Sequence, residues 1–171
     1  LEFRRVLFRS KGDRALPPVA ELVKKAGDAT RGAGVFRKPE INCIGCHQVG
    51  AEGVDFGPKL TEIGTKLGKD AIYESILDPS QGISFGFEAW LVVLKNGDEL
   101  FGLIVSETGD ELTLKLQGGQ AQVIRKADIA RREKQAQSIM PAGLQAAITQ
   151  EELVDLVEYL ASLKKIGRAH V

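Results

Sequence analysis

Two thiols and an imidazole stand within five residues in Cys43-Ile44-Gly45-Cys46-His47, and the 171-residue chain has no other cysteine. Thiols two residues apart, followed at once by histidine, form the pattern by which a c-type haem is attached. Each thiol adds across one vinyl group of the porphyrin, and the imidazole falls under the iron as its proximal ligand. The expectation is one covalent haem c, tethered through Cys43 and Cys46 and ligated by His47. Two other chemistries use such residues. A structural zinc site wants four Cys/His ligands, and no second pair exists. A redox dithiol is expected beside a strand-helix-strand pattern, which the flanks lack. Neither alternative explains the adjacent histidine.

Iron held by one histidine needs a sixth partner or is left with a reactive open position. Met140, the only methionine, stands in Ser138-Ile139-Met140-Pro141. A lone methionine more often fills a core than binds a metal. Here Pro141 removes a backbone donor and disfavours helix before it, which holds Met140 on an extended loop. Met140 is therefore expected to be the second axial ligand.

The elements that must position these groups read as follows. Residues 11–27 contain Pro17-Pro18 followed by Val19, Leu22, Val23 and Ala26, a linker running into a short amphipathic helix. Asp28 is a good N-cap for a helix reaching about Phe36, with Gly32 and Phe36 on one face. Glycine inside a helix costs about 1 kcal/mol against alanine, which makes sense if another helix approaches closely there. A glycine-rich loop after the thiols ends in Gly57-Pro58-Lys59-Leu60. A second helix is predicted from about Lys69 to Leu77, with Ile72, Ile76 and Leu77 inward and Asp78-Pro79 as its stop. Thr149 and Glu152 form a capping box for a last helix whose stripe is Leu153, Leu156, Val157, Leu160 and Leu163.

Between Gln81 and Gln137 the period changes from helical to alternating. Trp90 to Leu94, Leu100 to Val105, Leu112 to Leu116 and Gln122 to Arg125 read as strands, and Ile129 to Arg132 as a short fifth. Asn96-Gly97, Gly109 and Gly118-Gly119 mark the turns. Five short antiparallel strands predict a small antiparallel β-sheet or an SH3-like or Sm-like barrel.

The two ends of the chain resemble something other than protein design. Residues 1–10 back-translate as one stretch of a common sequencing adapter, and residues 165–171 resemble read-through of the opposite adapter. Such artefacts are set aside in fold reasoning, and with them His170, the only other histidine. Without the five basic and one acidic residues of those ends, 18 Lys+Arg stand against 22 Asp+Glu. A mildly acidic domain is a poor partner for nucleic acid or an anionic membrane surface. No apolar run reaches the length of a membrane span.

Gly32-Ala33-Gly34-Val35-Phe36, Cys43 to His47, Gly57-Pro58-Lys59-Leu60, Ser138 to Pro141 and Glu158-Tyr159-Leu160 occur in an order that resembles class I c-type cytochromes. With its strand-rich segment, the stretch 28–164 resembles the cytochrome domain at the C-terminal end of large secreted haem-binding proteins of planctomycetes and verrucomicrobia. The resemblance implies a mainly α cytochrome c fold, three to four helices around haem, made of residues 28–80 and 138–164, with 81–137 as a β-rich insertion. It further implies that the helix with Gly32 and Phe36 crosses the one with Tyr159 and Leu160. Pro58 would offer its backbone carbonyl to the ring N–H of His47, and Leu60 and Ile139 would pack on the haem edge. The span from Phe36 to Cys43 is longer than in many compact members.

The function expected on these grounds is electron transfer rather than catalysis, since filling both axial positions leaves no site for substrate at iron. The expected partner is a redox protein or an upstream dehydrogenase domain. Covalent haem attachment in bacteria takes place outside the cytoplasmic membrane, so a periplasmic or otherwise exported location follows. The alternative is a haem-based gas sensor or binding module in which Met140 is displaced and the strand-rich segment reports the change. That segment could also be a tolerated surface excursion, because long insertions add little loop-closure cost.

Overall fold

The computed structural model describes residues 8–164. In it the chain divides into two units. The first takes in the stretch up to Cys43, Leu60–Asp78 and the stretch from Ala142; the second takes in Ile44–Lys59 and Pro79–Pro141.

The first unit opens with a two-stranded hairpin of β1 (Arg9–Ser10) and β2 (Arg14–Ala15), followed by one helical turn, α1 (Val19–Leu22). Helix α2 (Ala29–Phe36) starts at Asp28, whose side chain accepts from Arg31 N at 2.8 Å. Then come the single turn α3 (Ile63–Lys66), helix α4 (Lys69–Leu77) and helix α5 (Gln150–Ser162). Thr149 and Glu152 close a reciprocal capping box on α5. The apolar stripe of α5 is its core face, with Leu153, Leu156 and Val157 at most 1% exposed. From α4, Ile72, Tyr73, Ile76 and Leu77 are buried.

Helices α2 and α5 pack directly, and the reason is steric. A Cβ on Gly32 would fall 1.9 Å from the carbonyl oxygen of Asp155, so only glycine admits this crossing. Gly64 does the same beside Ala161, at 2.2 Å. Polar bonds then fix the angle. Asp155 is buried, and its carboxylate accepts from Asp28 N at 2.7 Å and from Arg31 Nε and Nη2 at 2.7 and 3.0 Å. Lys38 pairs with Glu152, and Lys69 with Glu158 at 2.5 Å. The rings of Phe36 and Tyr159 stack tilted, 5.7 Å between centroids.

The second unit is a five-stranded antiparallel sheet. Its strands are β3 (Ala89–Leu94), β4 (Glu99–Glu107), β5 (Glu111–Leu116), β6 (Ala121–Arg125) and β7 (Ile129–Lys134), in the order β6-β5-β4-β3-β7. Alternation places Val92, Leu112, Leu114 and Ile124 in one fully buried cluster, with Trp90, Leu94, Leu100, Ile104, Leu116 and Ile129 around it. Glu107 accepts from Arg132 and pairs with Lys126, and these two cations hold its carboxyl down at about 2. Arg132 in turn lies 5.6 Å over the ring of Trp90.

The expectation of a mainly α fold is overturned. The described residues are 31% helical and carry the five-stranded sheet and a second, two-stranded one. The physical reason is the share of chain each element claims: α1 and α3 are single turns, whereas β4 and β7 run past the limits that alternation alone marked. The β1–β2 hairpin was not expected at all. Nor is a closed barrel present: among the described residues β6 and β7 are the two edges of an open sheet. Residues 1–7 and 165–171, most of the stretches read as adapter, lie outside the described residues.

Gly32→Ala should cost about 1–3 kcal/mol of stability by overpacking against the Asp155 carbonyl, measured as a lowered denaturant midpoint at unchanged slope. Asp155→Asn should cost about 1–3 kcal/mol at neutral pH, because it removes a charge-assisted acceptor from Arg31 and Asp28. Bonding from Arg31, opposed by burial, holds the folded Asp155 carboxyl below its ordinary value. Its stabilisation is present above the unfolded carboxylate value of about 4 and is lost as pH falls through the lower folded one. The gap between parent and variant should therefore close on acidification.

Candidate functional site

The chain reaches the thiols through a forced turn. Asn42 has a positive φ of 42°, a conformation asparagine tolerates better than most residues, and its N–H donates to Lys38 O at 2.8 Å. Cys43–Gly45 then forms one 3-10 turn. Behind it the loop closes on its own backbone. Val54 N donates to Ile44 O at 3.0 Å, and Gly57 N to Cys46 O at 2.7 Å. Val49 and Glu52 exchange both backbone bonds, at 2.9 and 3.0 Å. The result is a compact loop whose ends meet beside His47.

Two glycines shape the space around that histidine. Gly53 has a φ of 98°, and a Cβ there would stand 2.2 Å from the His47 carbonyl oxygen. At Gly57 a Cβ would stand 2.8 Å from Cε1 and 3.0 Å from Nδ1 of the His47 ring. The imidazole thus lies in a cradle that any side chain at 57 would fill. Pro58 offers its carbonyl oxygen 2.7 Å from Nδ1. A carbonyl only accepts, so Nδ1 carries the proton and donates, and Nε2 is left with a bare lone pair. Burial lowers the His47 pKa and the Pro58 bond partly opposes it, so the ring is held neutral, the form that ligates metal.

Cys43 and Cys46 are both half-buried thiols, with no disulfide between them. Burial raises the Cys46 thiol above its ordinary pKa. Met140 is half-buried, and its N–H donates to Ser138 Oγ at 3.1 Å, while Ser138 N donates to Ser80 Oγ at 3.1 Å. Leu60 is half-buried. Among the sequence-read site residues, His47 and Pro58 are in direct contact. Met140 is tied to the two serines, in the same unit as Cys46, His47 and Pro58, whereas Cys43 and Leu60 are grouped with the helical unit.

The donor set fits haem c: two unoxidised thiols at the attachment spacing, and one neutral imidazole with its outer nitrogen free. It does not form a cage for a bare ion. Among the described residues, no group of three or more His, Cys, Asp or Glu side chains is gathered to hold one. The sequence reading missed Gly53 and Gly57 as the residues that make room for His47. The signal was available in the glycine count of the loop, but which glycine meets the ring depends on the loop's closure.

Comparison with known proteins points the same way. Residues 29–88 match the family model Cytochrome c. That stretch holds Cys43, Cys46, His47, Pro58 and Leu60 and ends before Met140. The match supports a c-type cytochrome domain there, with haem binding and electron transfer in general. No curated protein matches the chain. Among solved structures, similarity is found to a crystal structure of the pleiotropic translational regulator Hfq, at 17% identity. It covers 40% of this chain and 98% of that one, with a TM-score of 0.28, too low to establish a shared fold.

Gly57→Ala should push the His47 ring off the Pro58 carbonyl. The expected result is loss of the slowly exchanging Nδ1–H resonance in proton NMR, with about 1–3 kcal/mol of stability lost.

Proposed function

We propose that this chain is an electron-transfer domain carrying a single haem c, attached by thioethers from Cys43 and Cys46 and ligated axially by His47 and Met140. The observation that carries the proposal is the His47–Pro58 contact within an attachment motif. The histidine beside the two thiols is already neutral, oriented and bare at Nε2. When bound, haem c supplies one reversibly accepted electron at its iron.

The chain's residues do the rest. The thiols at 43 and 46 anchor the group through two covalent bonds. Pro58 holds the proton on Nδ1 of His47, which fixes ring orientation and raises the basicity of Nε2. Met140 supplies a thioether sulfur, a soft ligand that favours reduced iron over oxidised iron. Leu60 contributes an apolar contact that keeps water from the haem edge. No group on this list makes or breaks substrate bonds, so the domain serves a catalytic domain or partner, a dehydrogenase by the resemblance, rather than acting as an enzyme. The compartment proposed is the periplasm or an equivalent exported location, where covalent haem attachment takes place. Among the described residues no helix is long and apolar enough to cross a membrane.

The test is maturation in a bacterial host competent for covalent haem attachment. Parent protein should hold one haem per chain that survives acid–acetone extraction, and Cys43→Ala with Cys46→Ala should release it. Met140→Ala should lose the methionine-to-ferric-iron band and bind carbon monoxide rapidly when reduced, while the parent does neither. A colourless parent defeats the haem reading. A coloured parent that takes up carbon monoxide at once favours a sensor in which Met140 is displaced.

A further inference from the structure

Both segments that bear the candidate axial ligands are attached to one cross-strand row of the five-stranded sheet. Ala89 of β3 pairs with Leu103 of β4, and Leu103 pairs with Lys115 of β5. Directly opposed residues point to the same face, so these three share one side of the sheet. It is the side opposite the Val92–Leu114 cluster, because Ala89 and Val92 are an odd number of residues apart on one strand. Yet Ala89 and Leu103 are 0% and 1% exposed. This second face is therefore covered at this row.

The His47 loop docks at one end of the row. Lys115 Nζ lies 3.3 Å from Asp55 Oδ2, and the Lys115 side chain is only 19% exposed. The turn after β5 touches the same place. A Cβ on Gly119 would stand 3.1 Å from Val54 Cγ1 and 3.5 Å from the Asp55 carbonyl oxygen, and its φ of 84° already restricts it to glycine. Val54 is the residue whose N–H bonds Ile44, inside the attachment motif, at 3.0 Å.

The Met140 segment leaves from the other end. Gln135, the first residue beyond β7, donates its N–H to the carbonyl of Ala89 at 2.8 Å. Ser138 then bonds Ser80, and Met140 bonds Ser138, each at 3.1 Å. Two strand spacings, about 10 Å, separate Ala89 from Lys115. Ladder hydrogen bonds hold that spacing, so it changes only if strands part.

We infer that the strand-rich unit is the positioning scaffold of the site, with Lys115 and Gly119 holding the His47 loop and the β3–β7 end holding the Met140 segment at a set spacing. The inference rests on the ligand reading given above and assigns the sheet a role in how firmly Met140 is kept on iron. Lys115, Asp55 and Gly119 are positioning residues and touch no ligand atom themselves. An ion pair of this kind contributes modestly, whereas the Gly119 contact is set by backbone and is the stiffer of the two.

The test uses ferric, haem-loaded protein titrated with imidazole, which competes with Met140 for iron, following loss of the methionine-to-iron band. Lys115→Met and Asp55→Asn should each tighten imidazole binding about two- to fivefold. The double variant should go no further than either single one, the signature of a shared contact. Lys115→Arg should return the parental value, and Gly119→Val should tighten binding about tenfold or more. Equal imidazole affinity in parent, Lys115→Met, Asp55→Asn and Gly119→Val overturns the inference while leaving the ligation intact. Absence of the methionine band from the parent itself overturns the ligand reading, and this inference with it.

Discussion

An imidazole can serve as a metal ligand only when one nitrogen is committed to its proton and the other is left bare, and the 2.7 Å approach of Nδ1 of His47 to the Pro58 carbonyl imposes that division. Everything nearby is arranged around keeping this contact. Gly57 gives up its side chain so that the ring can lie against the backbone, and Gly53 does so to let the loop pass the His47 carbonyl. The Cys46 carbonyl accepts from Gly57, which returns the chain to the motif eleven residues after it began to leave. Burial acts in the same direction, since desolvation disfavours the imidazolium and so keeps the ring available.

The helical unit shows the same logic with different groups. Close approach of α2 and α5 requires the absence of a Cβ at Gly32, and the buried Asp155 carboxylate then bonds both the N-cap backbone and the guanidinium of α2. Burying a carboxylate is unfavourable unless it is paired and hydrogen-bonded. Here it accepts three bonds from two residues, and one of those donors is a cation. A single acidic residue thereby fixes the position of one helix end on the other helix. In the flanking pairs Lys38–Glu152 and Lys69–Glu158 the carboxylates are more exposed than that of Asp155.

Much of the local structure was legible. Asp28 and the Thr149–Glu152 box mark the starts of α2 and α5 because a helix leaves orphan N–H groups that these side chains satisfy, and both caps are formed. The five strands centre where alternation and the Gly turns placed them, though β4 and β7 run further, since successive side chains of a strand face opposite sides and impose a period of two. The overall class was misjudged for a reason that lies outside any window of sequence. Class depends on how much chain each element claims, and here two of the helices are single turns while the sheet's strands run on beyond their alternating cores. The β1–β2 hairpin was equally invisible, being two residues per strand and set by the positive φ of Gly12 and Asp13.

What the sequence determined by itself is the donor set: two thiols and an imidazole within five residues, and a single methionine before a proline. Residue type and spacing along the chain are present without any fold. Tertiary structure decided which nitrogen of His47 is free, which glycine makes room for the ring, and that Lys115 and Gly119 meet the loop some sixty residues away. The contacts at His47 are set by how one loop closes on itself, and those of Lys115 and Gly119 by strand register between distant parts of the chain. The proton on Nδ1 sits between the two: the family resemblance named the Pro58 carbonyl as its partner, and the fold brings that oxygen to 2.7 Å from Nδ1.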